Sequence, residues 1–267
     1  MLSLTLFRKT LRTYWKLIAA FLAILTMYLV IIAGMFDPES LDVVEMLASM
    51  KLSPELLAAF GFTLTDATLT GFLSSYFYGM LMLALPMIVT ITVANGTVAK
   101  LVDRGSLSCL LSTPLSRRKI AVTQAVFLAL SAAVLVAWVT GVGIAYCEAT
   151  FPGLLDIRAF VRLNLAALAL HLAVSGISFF ASCLFNESRT SLALGAGLPI
   201  VFLVVQMLSN ANPDSVWLKR LTLFSLFRPT ELIGAEYTLA PVFVLLGVAI
   251  VLYTAGVFVF DRKDLPI

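Results

Sequence analysis

The feature that most constrains this chain is a set of six long stretches without a single Asp, Glu, Lys or Arg. They are Leu17–Phe36, Ala67–Ala99, Ile120–Cys147, Leu163–Asn186, Thr190–Pro213 and Tyr237–Phe260, each of 20 or more residues. A helix needs about 20 mostly apolar residues to cross the hydrocarbon core of a bilayer. A Lys, Arg or Asp at mid-span costs about 2.5–3.5 kcal/mol on the insertion scale, so gaps between charges mark spans. Composition points the same way: 61% of residues are hydrophobic and 12% charged, against about 25% charged in a soluble domain. Too few charges are present to coat a water-facing core, so apolar side chains must face lipid as well as each other.

The spans are expected to be helices, because lipid offers no partners for backbone N–H and C=O groups. A transmembrane barrel would alternate polar and apolar residues over segments of about ten. Ile18–Ile32 and Val242–Val259 are instead apolar all round. The expected fold is therefore all-α and polytopic, a single transmembrane domain over residues 1–267 with spans at about 17–36, 72–99, 120–147, 163–185, 190–209 and 238–260. The first span reads as a permanent anchor. Its apolar run exceeds the roughly 7–15 residues of a signal-peptide core, and no A-x-A site follows it.

Charge sets the orientation, since cytoplasmic flanks carry excess Lys and Arg. Arg8, Lys9, Arg12 and Lys16 precede span one; Lys100, Arg104, Arg117, Arg118 and Lys119 lie between spans two and three; Arg189, Arg262 and Lys263 complete twelve of the eighteen basic residues on one side. The segment after span one carries Asp37, Glu39, Asp42, Glu45, Glu55 and Asp66 against Lys51 alone. Both termini are thus expected in the cytoplasm, in the inner membrane of a cell. The net charge of +3 is too small to argue for nucleic acid.

Residues 2–16 read as an interfacial amphipathic helix, with Leu4, Phe7, Leu11 and Tyr14 or Trp15 at helical spacing and four basic residues on the other face. In the outer segment 37–66, Asp37-Pro38-Glu39 and Ser53-Pro54-Glu55 read as helix starts, a cap followed by Pro at the first helical position. Its acidic face would attract a cation or simply be solvated. Segment 214–236 is expected to form short helices that dip into the membrane and stop near Pro229.

The most informative stretch is the loop Lys100–Lys119, where Leu101, Leu107, Leu110 and Leu111 can share one face of a short helix that Pro114 ends. Such a helix is either a docking knob for a partner's groove or an interfacial helix. The run Asp103-x-Gly105-Ser106-Leu107, Leu110-Leu111, then Pro114-Leu115-Ser116-Arg117 resembles the signature of type-2 ABC transporter permeases, which stands after the second of six spans. Ser108 and Cys109 stand where that family commonly has an acidic residue. The basic N-terminus, the external piece before the last span and the close Phe260-Asp261-Arg262-Lys263-Asp264-Leu265 are also similar to the family.

The resemblance implies a half-transporter. Asp103, Gly105, Ser106, Leu107, Leu110, Leu111, Pro114, Ser116 and Arg117 would form a coupling helix that docks in a separate ABC ATPase. Two ATPase copies would hold ATP and magnesium and work with a second copy of this permease or a homologous one. Asn186, Glu187 and Arg189 would make a second cytoplasmic contact or only a polar turn. The chain has no Gly-Lys dipeptide, hence no Walker A loop, so ATP would have to bind another chain. The resemblance implies transport that is usually outward, and nineteen Phe and nine Met suggest an apolar path for a hydrophobic or amphipathic cargo.

Asn95, Gln124, Asn164, His171 and Gln206 sit within or at the ends of the charge-free windows. They would line a substrate path or bond neighbouring helices. Cys109, Cys147 and Cys183 are far apart and fit no metal or disulfide pattern. An intramembrane serine protease would have to use Ser175 and His171, without a Gly-x-Ser-Gly pattern. A secondary transporter would normally keep ionisable groups at mid-membrane, and His171 is the one present. A non-transporting immunity or sensor subunit would carry the same docking loop.

Overall fold

A computed structural model describes residues 2–37, 53–62, 68–107, 115–234 and 237–263, and every regular element among them is helical. Six helices or helix pairs are long and apolar enough to cross a membrane: 4–34, 81–103, 117–150, 157–184, 188–211 and 240–262. The chain is a multi-pass membrane protein.

Helix α1, Leu4–Gly34, is continuous through the point where an interfacial helix and a span were expected to part. Its contacts nevertheless change character along its length. Phe7 and Tyr14 both reach the ring of Phe127, at 5.3 and 6.5 Å between centroids. Ser3 and Thr10, seven residues and about 10 Å apart along the chain, bond the adjacent Thr123 and Gln124, so this part of α1 crosses its neighbour obliquely. Beyond it, Thr26 accepts a hydrogen bond from the Trp138 indole at 2.9 Å and Phe36 meets Phe151, so the two helices climb side by side. That neighbour is the span Arg117–Thr150. Leu4, Leu11 and Trp15 point outward from the oblique part.

The second window is broken. Helix α2, Pro54–Ala59, precedes α3, Leu69–Tyr76, and after a turn at 77–80 the span resumes as α4, Leu81–Thr97. Gly79 makes the break. A Cβ there would lie 2.4 Å from the Ser75 carbonyl and 2.7 Å from that of Phe60, so only glycine lets the segment after α2 touch the break. A short α5, Ala99–Asp103, follows, then α6, Arg117–Thr150, and α7, Ile157–Leu184.

Helix α7 is the axis of the bundle. Its most apolar window is 78% buried, against 17% for the fifth and sixth spans. It touches α3, α4, α6 and every later helix of the bundle. The sequence explains its place: Ala166, Ala167, Ala169, Ala173, Gly176, Ser178 and Ala181 are small and buried, and small residues let helix backbones approach closely. The last span, α11 (Ala240–Arg262), takes fullest advantage of this. A Cβ on Gly256 would meet the Phe179 ring at 2.9 Å, and one on Gly176 would meet Leu252 Cβ at 3.1 Å.

The fifth span is α8, Ser188–Gly195, and α9, Gly197–Ala211, parted at Ala196. After it come two 3-10 helices, Pro213–Leu221 and Leu223–Leu226, and α10, Pro229–Ile233. Pro229 opens α10 rather than stopping the segment, because proline lacks only the N–H that a first-turn residue leaves unpaired anyway. Arg162 of α7 bonds the carbonyls of Leu232 and Gly234 and lies 3.6 Å from the Tyr237 ring centroid, which ties the end of α10 to the bundle.

Candidate functional site

One end of the bundle gathers the two polar stretches that the sequence singled out. Asn95, near the end of α4, donates from Nδ2 to Ser188 Oγ at 2.8 Å. Helix α8 rests on both α4 and α5. The turn 186–189 therefore sits beside the start of the loop between the second and third spans, although some 80 residues separate them in sequence. Arg117 Nη1 donates to the Lys263 carbonyl at 2.8 Å, and Lys263 Nζ donates to the Cys183 carbonyl at 3.1 Å. The last carbonyls of a helix have no internal partner, and a lysine is a suitable cap. Burial lowers the pKa of Lys263 from the ordinary lysine value. Ser3 N donates to Thr123 Oγ1 at 3.0 Å, which brings the start of α1 to the same end.

Within the coupling stretch, Asp103, Arg104 and Gly105 are exposed. Gly105 has φ +66°, with open space around it, so the motif glycine is needed for its backbone and not for room. Ser106 Oγ donates to the Leu101 carbonyl at 3.1 Å and closes the turn. Leu107 is 4% exposed and belongs to this chain's own core, so its side chain is not presented outward as the docking-face reading expects. Ser116 caps α6 by accepting from Lys119 N. Leu110, Leu111 and Pro114 lie outside the described residues, as does Cys109. In the second stretch Glu187 and Arg189 are exposed, Glu187 accepts from Thr190, and Asn186 Oδ1 is buried without a partner.

The polar residues of the spans do not line one path. Gln124 and Thr10 bond each other at 3.3 Å between α6 and α1. Asn164 accepts from the Tyr78 hydroxyl at 2.7 Å and donates to the Phe160 carbonyl at 2.9 Å. His171 is fully buried, and its Nε2 lies 2.8 Å from the Met82 carbonyl. A carbonyl can only accept, so Nε2 carries the proton. Met82 needs this donor: its intrahelical partner would be the N–H of residue 86, and residue 86 is proline. Pro199 does the same to Gly195, and Ser178 Oγ donates to that carbonyl at 2.6 Å. Two prolines in two spans thus expose two carbonyls, and α7 fills both. Sequence reading weighed His171 alone; the missed signal was a span proline with a donor on a different apolar helix.

Ser175 and His171, one turn apart, do not address each other. Ser175 Oγ bonds the Leu172 carbonyl and the Tyr253 hydroxyl, at 3.1 and 2.8 Å, while His171 faces Met82.

Gln206, like Asn95 at Oδ1 and His171 at Nδ1, keeps a buried polar atom without a partner. It donates to Asn210 at 3.4 Å, while its Oε1 is buried without a partner. It lines a cavity of about 480 Å³ at the end opposite the Asn95–Ser188 contact, with Tyr78, Gly79, Lys219, Phe224 and Phe227 among the walls.

These features meet a family match that spans nearly the whole chain. The model for ABC-2 family transporter proteins matches residues 7–265. The chain belongs to the ABC-2 transporter family. It is a membrane transport component of an ABC transporter, not itself a catalyst, and members of the family generally work with an ABC ATPase subunit. No curated protein matches the chain.

Proposed function

We propose that this ABC-2 permease is half of the membrane channel of an ATP-driven exporter of hydrophobic or amphipathic molecules. Its ATPase docks on the end that carries α5 and the turn 186–189. Two permeases and two ATPases form the working unit, ATP and magnesium stay with the ATPases, and rigid-body rocking of the spans alternates access. The observation that supports docking there is the Asn95–Ser188 hydrogen bond, which joins the two exposed polar stretches into one surface. The basic flanks of that end support a cytoplasmic position for it and for both termini, with the spans in the inner membrane.

Exposed residues test this best. Tagged permease is solubilised from its native cells, and co-purifying ATPase and its activity are measured. Arg104→Glu with Glu187→Lys should remove the ATPase while the amount of membrane-inserted permease stays unchanged. Arg220→Glu, exposed on the opposite end, should leave it bound. A permease that purifies without any ATPase would overturn the proposal.

A further inference from the structure

The cavity beside Gln206 has a chemistry that the coupling end lacks. Leu83, Phe224 and Phe227 give it an apolar wall around the glycine break of the second span, while Asn210, Ser225 and Thr230 add polar groups. Its rim carries three charges, Lys219, Arg228 and Glu231. Arg228 and Glu231 neutralise each other at 3.1 Å. Lys219, partly buried, has no ion pair or hydrogen bond among the described residues. Among the described residues one cation is therefore left uncompensated beside the apolar wall, with the unpartnered Gln206 Oε1 in the same cavity.

A volume of about 480 Å³ falls within the roughly 300–1,000 Å³ of small-molecule sites. An occupant that satisfies all these walls needs a single anionic group for Lys219 and an apolar body for Leu83 and the two phenylalanines. A hydrogen-bond donor next to the anionic group would also pair Gln206 Oε1.

We propose that this cavity binds an anionic amphiphile, with its carboxylate or phosphate on Lys219 and its apolar part against Phe224 and Phe227. Under the export reading it is a stage at which cargo leaves the span interior for the far surface. The binding itself does not depend on that reading. The same chemistry is offered by a single-chain acid in transit and by a resident anionic phospholipid.

The test uses the full chain in phosphatidylcholine nanodiscs, without ATP or ATPase, so its result is independent of whether an ATPase co-purifies. With Trp15→Phe and Trp138→Phe in place, Trp217, two positions from Lys219, is the sole tryptophan donor. The probe is dansyl-undecanoate, with its methyl ester as the neutral control and empty nanodiscs as background. Energy transfer from Trp217 should saturate with the acid. Loss of the charge-assisted contact in Lys219→Gln, or in the ester, should weaken binding about ten-fold. Lys219→Arg should restore it. Phosphatidylglycerol that displaces the probe would identify a resident lipid, and failure to displace it a single-chain occupant; both support the site. Equal binding of acid and ester, or undiminished binding by Lys219→Gln, would overturn it.

Discussion

At the scale of single residues, two buried donors of this protein are explained by backbone carbonyls that prolines leave open. His171 and Ser178 stand on α7 opposite the carbonyls that Pro86 and Pro199 leave without an N–H. Removing the donor leaves a buried carbonyl unsatisfied, so His171→Ala should lower stability by about 1–3 kcal/mol. The cause is testable by a double-mutant cycle. Pro86→Ala restores the intrahelical N–H, so His171→Ala should be much less damaging in that background, read by thermal unfolding in detergent. Strictly additive losses would contradict the pairing. The sequence showed which polar residues lie in spans. It did not show that a proline on one helix and a donor on another belong together, because that depends on the packing register.

At the scale of elements, the close helix contacts have identifiable glycines. Gly256 faces the Phe179 ring and Gly79 faces two carbonyls, whereas Gly247 faces open space. Gly256→Val should therefore destabilise by about 1–3 kcal/mol through overpacking. Gly79→Ala should reduce the folded fraction further, since backbone oxygens cannot move aside as a ring can. Gly247→Ala should be near neutral. Fluorescence-detected size exclusion of the three variants orders them, and a Gly247 variant as unstable as the Gly79 variant would refute this packing. A second prediction concerns Leu107. Its burial in the chain's own core means that Leu107→Asp leaves an uncompensated charge inside the fold. The yield of folded permease should fall, whereas Arg104→Glu should leave it unchanged. Full-yield Leu107→Asp protein would place the side chain outside the core after all.

Charge-free windows located all six spans because insertion energy depends on composition and length, both visible in a sequence. The breaks at 77–80 and at Ala196 fell inside windows that looked continuous. The turn at Gly79 exists because the segment after α2 presses on it, a tertiary contact without a local signature. The continuity of α1 was hidden for the opposite reason: Arg8, Lys9, Arg12 and Lys16 suggest a separate surface helix, yet nothing in Leu4–Gly34 breaks the backbone.

At the scale of the whole molecule, the design is a central small-residue helix, two proline-bearing spans latched to it, and two chemically different ends. One end carries twelve of the eighteen basic residues, the exposed α5 turn and the 186–189 turn. The other carries the 3-10 helices, α10 and the cavity beside Gln206. The polar loop after the second span was visible in sequence, and its joining with the turn 186–189 through Asn95 and Ser188 was not, since it depends on where α8 leans.

The central claim is that this composite end seats an ATPase. Its most direct test places a photo-crosslinking amino acid at position 104, and in a separate variant at position 220, in the native cells. After irradiation, the crosslinked partners are identified by mass spectrometry. The account predicts an ABC ATPase crosslinked from position 104 and none from position 220. A chain that crosslinks no ATPase from position 104, or captures the same ATPase equally from 220, would contradict it.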